Sequence, residues 1–186
     1  MTIIYILLAI VFILLLVYIS LRNRLIVLKN KVEYAHGSVD AMLKQRYDLI
    51  PNLVTVVKEY MKYEKSLLEK LIQLRSEVKK QDLTDIEKAN INKQLDHTIK
   101  TFNVTVENYP LLKADKQFSY LQAALNECEG QIAAARRTYN ASILIYNNAI
   151  QVFPTNIVAS QIGYKLKSMI KYPEIDTDIS SKEILQ

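Results

Sequence analysis

Two charged residues fall on helical positions that are otherwise apolar. Arg46 fills one slot in the series Leu25, Leu28, Val32, Ala35, Val39, Met42 and Leu49. Glu64 fills one slot in Leu53, Val57, Tyr60, Leu67, Leu71, Leu74 and Val78. Charged side chains are rarely fully buried unless paired. Each therefore implies one of two things: a structural ion pair that sets helix register, or a polar pocket between helices that also takes in Tyr47 and Asp48. A second polar set, Tyr139-Asn140 and Tyr146-Asn147, recurs at one heptad. A buried asparagine needs hydrogen-bond partners, so this set reads as a polar layer between helices or as a recognition surface.

Other chemistry finds little support. His36 and His97 lie on different expected helices, and neither has the spacing of a metal ligand. There is no Glu-x-x-His pair of the di-metal bundles and no His-Glu-x-x-His. Cys128 falls on an apolar seam without an adjacent histidine or basic cluster, so it reads as a small core residue rather than a nucleophile. No glycine-rich phosphate loop occurs. No catalytic residue, metal or cofactor is expected, and the chain is not expected to be an enzyme.

The elements that carry these residues begin with an apolar run. Ile3 to Leu21 contains no charge and would span about 28 Å as a helix, close to the hydrocarbon thickness of a bilayer. Arg22, Arg24, Lys29 and Lys31 follow at once. The run has no basic start, and bulky Tyr18 sits where a cleavage site needs a small residue, so residues 1–21 are expected to be an uncleaved transmembrane anchor rather than a signal peptide. Basic flanks stay cytoplasmic, which predicts a single-pass protein of the inner (cytoplasmic) membrane, N-terminus out and body in the cytoplasm. The chain has 24 basic and 19 acidic residues, a net charge of +5, all of it in the body. A surplus beside a membrane fits topology and anionic lipid. No arginine-rich run with interleaved aromatics points to nucleic acid.

The body is patterned as helix throughout. A long third seam runs Phe118, Leu121, Leu125, Cys128, Ile132, Ala135 and Tyr139, then Tyr146, Ile150 and Phe153. Between Thr84 and Asn108 the pattern is weaker, with Ile91, Leu95, Phe102 and Val106 on one face. Thr84 with Glu87 reads as a capping box, and Asp115 can cap the last long helix. A continuous helix from Arg22 to Lys80 would run about 88 Å, more than the later helices could cover. A reversal at Pro51 is therefore expected, since proline removes a donor and clashes with the preceding turn. The expected fold is all-α: the anchor, then an antiparallel up-and-down four-helix bundle over residues 22–154, with helices at about 22–49, 51–80, 84–108 and 115–153. Residues 155–171 carry Val158, Ile162, Leu166 and Met169 with Lys165, Lys167 and Lys171, the pattern of a short amphipathic helix. Residues 172–186 are expected to be a flexible tail.

Several separated motifs resemble one family. Met42-Leu-Lys-Gln-Arg-Tyr-Asp-Leu-Ile-Pro-Asn-Leu-Val54 is similar to the hallmark of the LemA family, and agreement continues through Val57-Lys-Glu-Tyr60, Tyr109-Pro-Leu-Leu-Lys-Ala114, Phe118-Ser-Tyr-Leu-Gln122 and Glu129-Gly-Gln-Ile-Ala-Ala-Ala-Arg-Arg-Thr-Tyr-Asn140. The match is poor from Val78 to Ile99 and after Tyr164. The resemblance implies a bacterial membrane protein with one N-terminal anchor and a helical body. It carries over no catalytic residue. It also implies association with TPM-domain proteins or membrane metalloproteases. Expected partners are the bilayer, membrane or cytoplasmic proteins, and further copies of the chain. The expected role is a non-enzymatic scaffold or adaptor; the alternatives are an accessory subunit of a membrane enzyme or protease and a membrane-shaping or envelope-stress oligomer.

Overall fold

The computed structural model describes residues 1–80 and 83–170. Among the described residues every regular element is a helix: α1 Thr2–Val57, α2 Lys65–Val78, α3 Asp85–Val106, α4 Pro110–Lys113, α5 Lys116–Gln151 and α6 Thr155–Gln161. The protein is all-α. It divides into two compact units, Met1–His36 with Arg136–Gln186 and Gly37–Ala135.

In the first unit, the start of α1 carries the apolar run. Its most apolar 18-residue window has a mean hydropathy of 3.1 and no buried residue. Aliphatic side chains exposed on every side of a helix suit hydrocarbon rather than water, so α1 is long and apolar enough to cross a membrane. Packing begins with Leu25, which joins Val158 and Ala159 of α6, flanked by Tyr18, Leu21, Ile162 and Tyr164. Val32 joins Ile143 and Tyr146 of α5, flanked by Leu28 and Tyr139.

The amphipathic helix expected over 155–171 ends at Gln161. Gly163 adopts φ +73°, the left-handed conformation that favours glycine. Its N–H bonds to Ser160 O at 3.2 Å and the Tyr164 N–H to Ala159 O at 3.0 Å. This pair is a Schellman motif, and Tyr164 supplies the apolar contact back onto the helix that accompanies it. Residues 164–170 then continue without helix. The expected tail, 172–186, lies outside the described residues.

In the second unit, the reversal expected at Pro51 does not occur there. α1 passes through Pro51 and ends at Val57, so the second helix starts at Lys65 rather than at residue 51. A proline inside a helix costs about 3 kcal/mol. Ile50, Leu53 and Val57 flank it and are 0–1% exposed. Burying three such side chains yields roughly 2 kcal/mol each, which outweighs the lost hydrogen bond. The chain turns over residues 58–64, where the Tyr60 and Met61 N–H groups both bond to Val57 O at 3.0 and 2.9 Å and Met61 is fully buried. Beyond Val39 the buried seam is Leu43, Arg46 and Ile50; Met42 and Leu49 lie beside it, half-buried.

Local signals seat the remaining helices. At α3, the Glu87 N–H donates to Thr84 Oγ1 at 3.3 Å, and Glu87 Oε2 accepts from the Thr84 N–H at 2.8 Å. This is a complete capping box. Bonds from the Thr84 side chain and backbone hold the Glu87 carboxyl below its ordinary value. At α5, Asp115 Oδ1 accepts from the Phe118 N–H at 2.9 Å and Oδ2 from the Tyr60 hydroxyl at 3.1 Å. The Phe118 N–H, ahead of the Tyr60 hydroxyl, lowers the Asp115 pKa. Phe118 is fully buried against Phe102, ring centroids 6.4 Å apart.

Candidate functional site

Arg46 is 1% exposed and among the largest fully buried side chains of the described residues. A seam position on α1 forces it inward, and α3 and α5 supply its partners. Its Nη1 donates to Asp96 of α3 and, at 3.1 Å, to Glu129 Oε1 of α5. Its Nη2 donates to Asn92 Oδ1 at 3.2 Å. The Tyr47 hydroxyl donates to the same Asn92 oxygen, and Asn92 Nδ2 donates to Lys88 O at 2.9 Å. Asn92 and Asp96 are one turn apart, so both face the guanidinium. Burial pulls the Arg46 pKa down, but Asp96 and then Glu129 outweigh it and hold the value above the ordinary one. The cluster keeps one fixed cation between two carboxylates.

Neither Asp48 nor Glu64 makes a hydrogen bond or ion pair with this cluster. Asp48 Oδ1 faces Lys79 Nζ at 3.5 Å and Arg75 Nη2 at 3.9 Å. Glu64 accepts from the Tyr109 hydroxyl at 3.3 Å. Cys128 Sγ donates to Met42 O at 3.5 Å, and burial raises its pKa, so it stays a thiol rather than a thiolate. No group of three or more His, Cys, Asp or Glu side chains is arranged to hold a metal among the described residues. A groove of about 550 Å³ runs beside α2, with Val54, Met61, Leu68 and Ile72 among its walls and Lys58, Lys62 and Lys65 on its edge.

The first unit holds the heptad pair. Asn147 Oδ1 accepts from the Lys167 N–H at 3.0 Å, and its Nδ2 donates to Lys167 O at 2.9 Å. Asn140 does the same to Ile170, both bonds at 2.9 Å. Tyr146, 2% exposed, donates its hydroxyl to Lys165 O at 3.2 Å and packs on Tyr164 with ring centroids 6.0 Å apart. Burial, then Tyr164, raises its pKa. Tyr139 packs edge-on against His36 at 5.3 Å. The two asparagines thus clasp a non-helical stretch of main chain, rather than each other or a neighbouring helix.

Sequence reasoning placed Arg46, Tyr47, Asp48, Glu64, Tyr139, Asn140, Tyr146 and Asn147 as candidates. The structure joins Arg46 with Tyr47, and Asn140 with Tyr146 and Asn147. Asn92, Asp96 and Glu129 were not among the candidates. Asn92 and Asp96 each follow a buried seam residue, Ile91 and Leu95, by one position. That i, i+4 polar pair beside a seam is the signal that answers a seam arginine.

A family model described as the LemA family matches residues 35–181. The chain is 26% identical over 169 residues to Protein LemA of Metamycoplasma hominis, covering 90% of this chain and 77% of that protein. It is 32% identical over 82 residues to the magnetosome protein MamQ of Magnetospirillum gryphiswaldense, covering 44% of this chain and 30% of MamQ.

Proposed function

Because the chain belongs to the LemA family, we propose that it is a non-enzymatic helical scaffold or adaptor, anchored in the cytoplasmic membrane by the start of α1 with the body on the cytoplasmic side. The observation that carries this reading is the clasp: Asn140 and Asn147 commit both of their amide groups to peptide main chain. A helix face built to hold an extended segment is a recognition surface rather than a reaction centre. Arg46 supports the same reading, since its charge is neutralised by Asp96 and Glu129 within the fold. Orientation rests on Arg22, Arg24, Lys29 and Lys31 behind the apolar run. In this reading the body is an antiparallel up-and-down four-helix bundle, supported by the Asp48 pairs to Arg75 and Lys79 near the far end of α2. Partners are membrane or cytoplasmic proteins, by family analogy a TPM-domain protein or a membrane metalloprotease.

In-cell photo-crosslinking from position 144, half-exposed on the clasp face, tests the adaptor reading. Capture of a TPM-domain protein or metalloprotease, lost with Asn140→Ala and Asn147→Ala, is the expected result. Capture unaffected by those substitutions would sink the reading. A C-terminal reporter active only outside the cytoplasm should stay silent.

A further inference from the structure

Residues 164–170 are held through main chain, and the spacing is matched. Asn140 and Asn147 stand two helical turns apart, about 10.5 Å. Lys167 and Ile170 stand three residues apart, about 9 Å in a polyproline-II-like chain, where every third residue returns to the same side. Burial follows that period. Tyr164, Lys167 and Ile170 are half-buried, whereas Lys165, Leu166, Ser168 and Met169 are exposed. The directions oppose: the higher-numbered asparagine meets the lower-numbered residue.

Such a seat has three requirements: an extended conformation, a free N–H at each rung, and an aromatic side chain at the leading position. The Tyr164 ring meets the last by packing on Tyr146, with Lys29 Nζ 5.7 Å from its centroid. One macromolecule meets all three by construction, a second copy of this chain. The strap leaves α6 at Gly163, at φ +73° with nothing within 4 Å of where a Cβ would stand, and beyond that residue one main-chain bond, Tyr164 N–H to Ala159 O, and the packing of Tyr164 tie it to α6. Glycine populates both signs of φ at little cost, so the strap can leave α6 on a different heading with every rung bond re-formed elsewhere. We propose that the Asn140–Asn147 clasp receives residues 164–170 of a second copy, so that membrane-confined copies exchange straps. Reciprocal exchange closes a dimer and one-way exchange builds a chain. Confinement to a membrane raises the concentration with which the tethered strap competes. The proposal rests on the reading of this α5 face as a peptide-receiving surface.

The test leaves the rungs intact. In a Cys128→Ala background, one tagged full-length copy carries Leu144→Cys, on the face between the rungs, and a differently tagged copy carries Ser168→Cys. The two are co-expressed in membranes and treated with a short bismaleimide. Exchange predicts a product joining the two tags, falling at least about tenfold when Asn140→Ala and Asn147→Ala are added to the first copy. A single chain carrying both cysteines serves as control. If that control closes and the mixed copies do not, exchange is overturned and the clasp stands. If neither joins, the peptide-receiving reading falls as well. A mixed product indifferent to the asparagines is contact without exchange and also overturns the proposal.

Discussion

The same two helices, α1 and α5, solve opposite problems in the two units. In one, a buried cation on α1 meets carboxylates on α3 and α5, side chain to side chain. In the other, neutral amides on α5 meet the main chain of a segment that has no helix of its own. The buried ion is unforgiving, because Arg46 is 1% exposed and losing a carboxylate would leave its charge uncompensated in low dielectric. A neutral amide that loses its partner can be satisfied by water wherever the site is half-exposed. The first arrangement therefore fixes helices against one another, and the second holds a segment that can be released.

Substituting Arg46→Met gives the sharpest way to break this contrast. The side chain keeps its bulk and loses its charge, leaving Asp96 and Glu129 without their cation. Water reaches both carboxylates, whose side chains are 28% and 48% exposed, so a loss of about 2 kcal/mol is expected, from the hydrogen bonds of the buried guanidinium, read as a lower urea midpoint at unchanged slope. A loss below about 1 kcal/mol would make the two regions energetically alike. Next in size is Thr84→Ala, which removes the cap that seats α3 and with it Asn92 and Asp96. It should cost about 1 kcal/mol in the same measurement.

Removing both clasp residues, Asn140→Ala with Asn147→Ala, should barely move the global midpoint, by less than about 0.5 kcal/mol. Hydrogen exchange at the Lys167 and Ile170 amides should nevertheless accelerate roughly tenfold. A global collapse would show the strap to be integral to the fold.

The two regions should also answer opposite ends of the pH scale. The Asp115 pKa is lowered in the fold, so its contribution is fully present above the unfolded value of about 3.9 and is lost as pH falls through the lower folded value. Acid should shift the Phe118 amide resonance first. The Tyr146 pKa is raised, so its contribution is present below about 10 and is lost as pH rises through the folded value. Alkali should loosen the Lys165 contact, read by exchange at the neighbouring strap amides.

Much of the fold was legible because apolar periodicity over long helices is a strong signal. The all-helical content, the apolar start of α1 and the Thr84 capping box follow from local pattern alone. Pro51 misled because its penalty is local, whereas the burial of Ile50, Leu53 and Val57 that outweighs it is tertiary. Arg46 was legible as a charge on a seam. Its partners were not, because Asn92 and Asp96 lie where the seam is weakest. The clasp was half legible. Asn140 and Asn147 announced a polar pair, but their partners are the peptide groups of Lys167 and Ile170, and main-chain groups leave no trace in side-chain patterns. Gly163 was the overlooked sign that the helix from Thr155 stops short.

A seat that grips peptide groups is blind to most of what is written on the segment it grips. At positions 165, 166, 168 and 169, exposed side chains can be exchanged freely for one another without loosening a rung. Proline at 167 or 170 cannot be admitted, because it deletes the N–H that the asparagine oxygen receives. The strap is thus free to drift in chemical character, acquiring or shedding charge and grease on its outer face, while its address on α5 stays the same.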